Sequence, residues 1–85
     1  MNGISVFPNP YNGTTTLNYT LSESANILVE LYDMTGRKVN TLANGKQTAG
    51  QYHLSVNTLQ LAGGTYTLKM SANGEMITIR IVDIK

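Results

Sequence analysis

The stretch GTYTLKMSANGEMITIRIVDI, Gly64–Ile84, decides the fold. On one side of its centre Tyr66, Leu68 and Met70 alternate with Thr65, Thr67 and Lys69; on the other Ile77, Ile79 and Ile81 alternate with Thr78 and Arg80. A period of two is the pattern of a strand with one buried and one wet face. Between the two runs stand Asn73 and Gly74, residues that accept the positive φ angles a two-residue hairpin turn demands. The stretch therefore reads as a β-hairpin. Beyond Ile81 the alternation blurs, because Val82, Asp83 and Ile84 do not settle onto one face.

The same period recurs outward from the hairpin. TTTLNYTL sets Leu17, Tyr19 and Leu21 against Thr16, Asn18 and Thr20, and QYHLSV sets Tyr52, Leu54 and Val56 against His53 and Ser55. In NILVELYD, Ile27, Val29 and Leu31 face Leu28, Glu30 and Tyr32, which predicts a strand covered on both faces over part of its length. GRKVNTL predicts a short strand with Val39 and Thr41 inward. Asn44-Gly45 is expected to bend the chain much as Asn73-Gly74 does. In FPNPYNG, Pro8 and Pro10 fix φ and remove donors, so they are expected to end the first strand before Asn12 and Gly13 turn the chain. In LYDMTGRKV, Asp33 can accept hydrogen bonds from turn N–H groups while Gly36 takes a conformation a Cβ resists, a reading preferred to a calcium ligand or a catalytic acid. About seven short strands and no amphipathic helix define an all-β protein, a small immunoglobulin-like antiparallel β-sandwich forming a single domain over residues 1–85.

Composition narrows the function classes. Charged residues are only 13% of the 85 and the formal net charge is +1, with the cations scattered along the chain, so nucleic acid is not an expected partner. The absence of cysteine removes disulfides, thiolate metal sites and a cysteine nucleophile. The one histidine, His53, lies on the polar side of its strand and reads as solvated; no spacing of His and carboxylates suggests a metal site. No catalytic residue and no cofactor are expected. There is no Trp, and Phe7, Tyr19, Tyr32, Tyr52 and Tyr66 stand at strand positions where core or half-buried packing is expected. Tyr11 alone reads as a loop aromatic, open to a contact role. Tyr66 could hydrogen-bond back across a corner, with core packing lacking that bond as the alternative.

Taken in order, VFPNP (Val6–Pro10), LYDMTGRKV (Leu31–Val39), AGQYHLSVNTLQLAGGTYTLKM (Ala49–Met70) and IRIVDIK (Ile79–Lys85) resemble the C-terminal sorting domain of the type IX secretion system of Bacteroidetes-type bacteria. The resemblance implies a non-catalytic, folded export signal, carried behind a covalently linked cargo and read by outer-membrane components of the secretion machinery. It also implies that the domain is often then removed by a sortase-like peptidase cutting in the linker before the first strand, at a bond absent from this sequence or at most near Asn2 and Gly3, with the cargo reaching the cell surface or the medium. Met1 reads as an initiator added to a domain excised from a longer secreted protein. The family's last strand commonly carries clustered basic residues, whereas here Asp83 separates Arg80 from Lys85.

A signal read in its folded form should present a surface. The last hairpin, Thr65 to Lys85, is the candidate, with Arg80, Ile81, Val82, Ile84 and Lys85 as recognition residues; core packing is the alternative for Ile81 and Ile84. Its terminal strand edge could add to a partner's sheet, and self-association through edge strands is expected on the same ground. An immunoglobulin-like structural spacer and a carbohydrate-binding accessory module of a secreted enzyme are the alternative functions.

Overall fold

A computed structural model describes residues 2–85; Met1 lies outside them. Among the described residues seven strands follow one another without a helix: β1 (Asn2–Asn12), β2 (Thr14–Leu21), β3 (Ala25–Tyr32), β4 (Lys38–Gln47), β5 (Gly50–Asn57), β6 (Gly64–Ala72) and β7 (Glu75–Asp83). β1, β2 and β5 pair antiparallel in one sheet, and β4, β3, β6 and β7 in the other, in that order. The two sheets pack as an immunoglobulin-like sandwich. They also meet at one corner, where Tyr11 of β1 pairs in parallel with Asp83 of β7.

The alternation read from the sequence sorts the side chains. Leu17 and Tyr19 of β2, Val29 and Leu31 of β3, Leu68 and Met70 of β6 and Ile81 of β7 are buried between the sheets. Each such burial stabilises by roughly 1.5–3 kcal/mol, set against the entropy of ordering the chain. Tyr19 and Tyr52, directly opposed on β2 and β5, stack with centroids 5.2 Å apart. The β6–β7 turn has φ of 49° at Asn73 and 86° at Gly74, as a primed two-residue turn requires.

Several local expectations change. Asn44-Gly45 does not bend the chain: both residues lie inside β4, opposite Leu28 and Ile27. β4 is long because its register against β3 shifts twice, once between Ala43 and Thr41 and again between Asn40 and Lys38. Each shift inserts one extra residue, Leu42 or Val39, and both pack against the core. Thr41 is exposed, not inward. β3 carries half-buried residues on its outer face, Leu28, Glu30 and Tyr32, yet no third layer covers them; neighbouring strands and their side chains do.

Pro8 and Pro10 do not end β1. Both follow cis peptide bonds, and both sit within the strand, in the segment where β1 leaves its register with β2 and crosses toward β7. A residue without an N–H is tolerated there because that segment makes no regular ladder. Side chains take the ladder's place. Thr15 Oγ1 donates to the carbonyl of Pro8 at 2.5 Å. Asn9 Nδ2 donates to the Arg80 carbonyl and Asn9 Oδ1 accepts from Val82 N–H, each at 3.1 Å.

Candidate functional site

Three segments distant in sequence converge on the end of β7. Asp83 continues the inward parity of Ile77, Ile79 and Ile81, so its carboxylate is driven inside and is only 2% exposed. A buried carboxylate is costly unless its oxygens are hydrogen-bonded. Here Oδ1 accepts from Gly13 N–H and Lys85 N–H, each at 3.1 Å. Oδ2 accepts from Thr58 Oγ1 at 2.7 Å and from the Lys85 ammonium at 3.0 Å. Burial alone would raise its pKa, but the bonds from Thr58, Lys85 and Gly13 together outweigh it and hold the carboxyl well below the usual carboxylate range.

Around this carboxylate the corner is closed by further bonds. The Tyr11 hydroxyl and Thr58 Oγ1 lie 3.0 Å apart, and Thr58 N–H donates to the Gly13 carbonyl at 2.8 Å. Ile84 N–H donates to the Tyr11 carbonyl at 2.7 Å. The Lys85 ammonium also donates to the carbonyls of Thr58, at 2.8 Å, and Leu61. Gly63 is required beside this knot, since a Cβ there would collide with the backbone oxygen of Lys85. The end of the chain is thereby clasped to the β1–β2 corner and the β5–β6 loop.

The proposed recognition residues divide accordingly. Ile81 is fully buried in the core, which corrects its assignment to a recognition surface: a partner of the folded domain cannot reach its side chain. The Lys85 ammonium is engaged within the clasp. Arg80 is exposed, Val82 half-buried and Ile84 64% exposed. Tyr11 is likewise corrected, being a strand residue 1% exposed and not a loop aromatic; Phe7, expected to pack, is 76% exposed because it sits on the outer face of β1 opposite Thr16. The Tyr66 hydroxyl does donate back to the Ala62 carbonyl, at 2.5 Å.

Asp33 organises the β3–β4 turn. Its Oδ1 accepts from Thr35 Oγ1 at 2.7 Å and from the N–H groups of Thr35 and Arg37, each at 3.0 Å. Those bonds, the Thr35 hydroxyl first, lower its pKa. Gly36 there has φ of 89°. Asn73 also ties its own hairpin to β3, its Oδ1 accepting from Asn26 N–H at 3.0 Å.

The outer faces differ in charge. β1, β2 and β5 contain no Asp, Glu, Lys or Arg, and their outer face is built from Ser, Thr, Asn and Gln with Phe7 and His53, whose Nδ1 lies 2.6 Å from Asn18 Oδ1. The other sheet gathers Lys38, Lys46, Lys69 and Arg80 on its outer face, around Glu30. Cations that are scattered in sequence thus share one surface, which the one-dimensional pattern concealed.

No group of three or more His, Cys, Asp or Glu that could hold a metal occurs among the described residues. Two surface depressions enclose about 110 and 160 Å3, short of the roughly 300 Å3 of a ligand cleft. The geometry defines a β-sandwich module. The family model of the secretion system C-terminal sorting domain matches residues 5–85, and the chain belongs to that family. No curated protein matches it. Membership makes the chain a type IX sorting signal, which works with that secretion machinery and accompanies a cargo exported across the outer membrane to the cell surface or the medium.

Proposed function

We propose that the sandwich is recognised as a folded unit, has no catalytic activity of its own, and is cut from its cargo after export by a sortase-like peptidase acting ahead of β1. The observation that carries this reading is the clasp at Asp83. It fastens the last residues to Gly13, Thr58 and Tyr11, so a partner meets them as part of a surface and not as a loose peptide. Arg80, Ile84 and the half-buried Val82 are the recognition residues of β7 and its extension, and Lys85 acts by holding that extension in place. The outer-membrane machinery and its peptidase are the partners, and the domain is the closing segment of a longer secreted protein.

A reporter fused ahead of residues 1–85 through native linker, in a bacterium with this secretion system, tests the reading. The reporter is expected outside the cell or on its surface, having lost the 9.2 kDa domain. Deleting Ile79–Lys85 is expected to strand it in the periplasm. Retention of the intact fusion in the periplasm, or export indifferent to the deletion, would overturn the proposal. Capture of the isolated domain on polysaccharide would favour the accessory-module alternative.

A further inference from the structure

We infer that the outer face of β4-β3-β6-β7 is the docking surface of the domain, and that its partner is an acidic protein surface of the export machinery. The inference rests on the sorting reading above and adds where contact is made and with what chemistry. Its ground is the segregation of charge. Lys38, Lys46, Lys69 and Arg80 point outward from this sheet, and Glu30 is the one carboxylate among them. The remaining acids are elsewhere: Glu23 and Asp33 in turns, Glu75 beside the β6–β7 turn, and Asp83 inside the clasp. A face of one sign attracts a partner of the other and disfavours wrong partners.

The arrangement also selects among anions. Phosphate is gripped by donors converging on one point. Here the cations are dispersed. Arg80 on β7 and Lys38 on β4 stand three strand spacings apart, about 14 Å, and Lys46 lies roughly 20 Å along β4 from Lys38. Their orientations are fixed by the sheet itself: Lys69 Nζ sits 4.5 Å from the centre of the Tyr32 ring, and Lys38 Nζ is 3.2 Å from Glu30 Oε2. Between them lie Leu28, Tyr32, Thr67 and Thr78, apolar and hydroxyl groups that suit a broad protein contact. Separated carboxylates on a flat, partly apolar protein surface match this layout.

The test uses the same reporter fusion with three variants. Neutralising the face in K46Q/K69Q/R80Q should lower export at least about tenfold while the melting temperature of the purified domain stays unchanged. K46R/K69R/R80K, which keeps the charge, should export as the parent does. Changing the uncharged sheet with T20N/S55A should have no effect. Failure of the parent fusion to export would remove the sorting reading itself. Export of the parent and of K46Q/K69Q/R80Q to the same extent, with the parent succeeding, would overturn this inference and the recognition role of Arg80 while leaving the sorting reading in place. Vesicles of phosphatidylglycerol supply the remaining arm: if the parent domain binds them at physiological salt and K46Q/K69Q/R80Q does not, a lipid surface replaces the protein partner and the inference falls.

Discussion

Asn73 shows how much one residue can hold. Its φ of 49° closes the β6–β7 turn, while its side chain and backbone bond to Ser24 and Asn26 at the start of β3. Replacing it by Gly keeps the backbone conformation and loses the side-chain bonds; replacing it by Ala loses the bonds and adds the strain of a Cβ at positive φ. Asn73→Gly is therefore expected to cost about 1 kcal/mol and Asn73→Ala about 2–3 kcal/mol, read from urea unfolding midpoints. Equal costs would mean that the side-chain bonds carry the whole effect. The turn itself was legible because it joins adjacent strands, and every residue that shapes it lies within a few positions. The role of Asp83 was not legible. Its parity with Ile77, Ile79 and Ile81 and the nearby Lys85 were the available signals, but the other two donors that make a buried carboxylate tolerable come from positions 13 and 58, which no local pattern connects to it.

Among the elements, β4 and β1 mark where local reading gave way to pairing across the sheet. The same Asn-Gly dipeptide that turns the chain after β6 lies within a strand at residues 44–45, because hydrogen bonding to β3 extends along the whole of β4. The two extra residues in β4 also break the period of two, so Leu42 and not Thr41 follows Val39 into the core, and the strand runs longer than the short one read at GRKVNTL. β1 carries a different consequence. The expected self-association through the last strand meets an obstacle, since Asn9 already bonds to the edge of β7 at Arg80 and Val82, and Tyr11 does so at Ile84. Unpaired edge groups are a template for another chain. Asn9→Ala is expected to expose the Arg80 carbonyl and the Val82 N–H, and to tighten self-association by about tenfold, the equivalent of roughly 1.4 kcal/mol. Asn9→Asp, which retains the acceptor for Val82 and loses the donor, should fall between. Sedimentation velocity across a concentration series measures both. A variant no more associated than the parent would show that Asn9 does not guard this edge.

For the molecule as a whole, the two lowered carboxylates predict how stability depends on pH. Asp33 and Asp83 each fall below the ordinary value of 3.8 in the folded state. A carboxylate with a depressed folded pKa contributes stability that is fully present above its unfolded pKa. As pH falls below about 4 the unfolded chain takes up protons first, so the equilibrium shifts toward unfolding, and the contribution declines until the folded carboxylate is protonated too. The melting temperature should therefore be flat from pH 7 to 5 and drop below about pH 4. The two groups should not contribute alike. Asp33 serves an exposed turn, whereas Asp83 is enclosed and bonded to Gly13, Thr58 and Lys85, so its protonation loosens contacts between three segments at once. Asp33→Asn should lower the melting temperature slightly and leave most of the acid drop. Asp83→Asn should lower it at neutral pH by on the order of 10 °C and flatten the drop. Near-ultraviolet circular dichroism from pH 2 to 7 on the parent and both variants reads this directly through the buried tyrosines. If Asp83→Asn retains the full acid drop, the clasp is not the acid-sensitive element; if it unfolds at all pH values, Thr58→Val, which removes one bond and keeps the carboxylate, should still shift the acid transition toward higher pH.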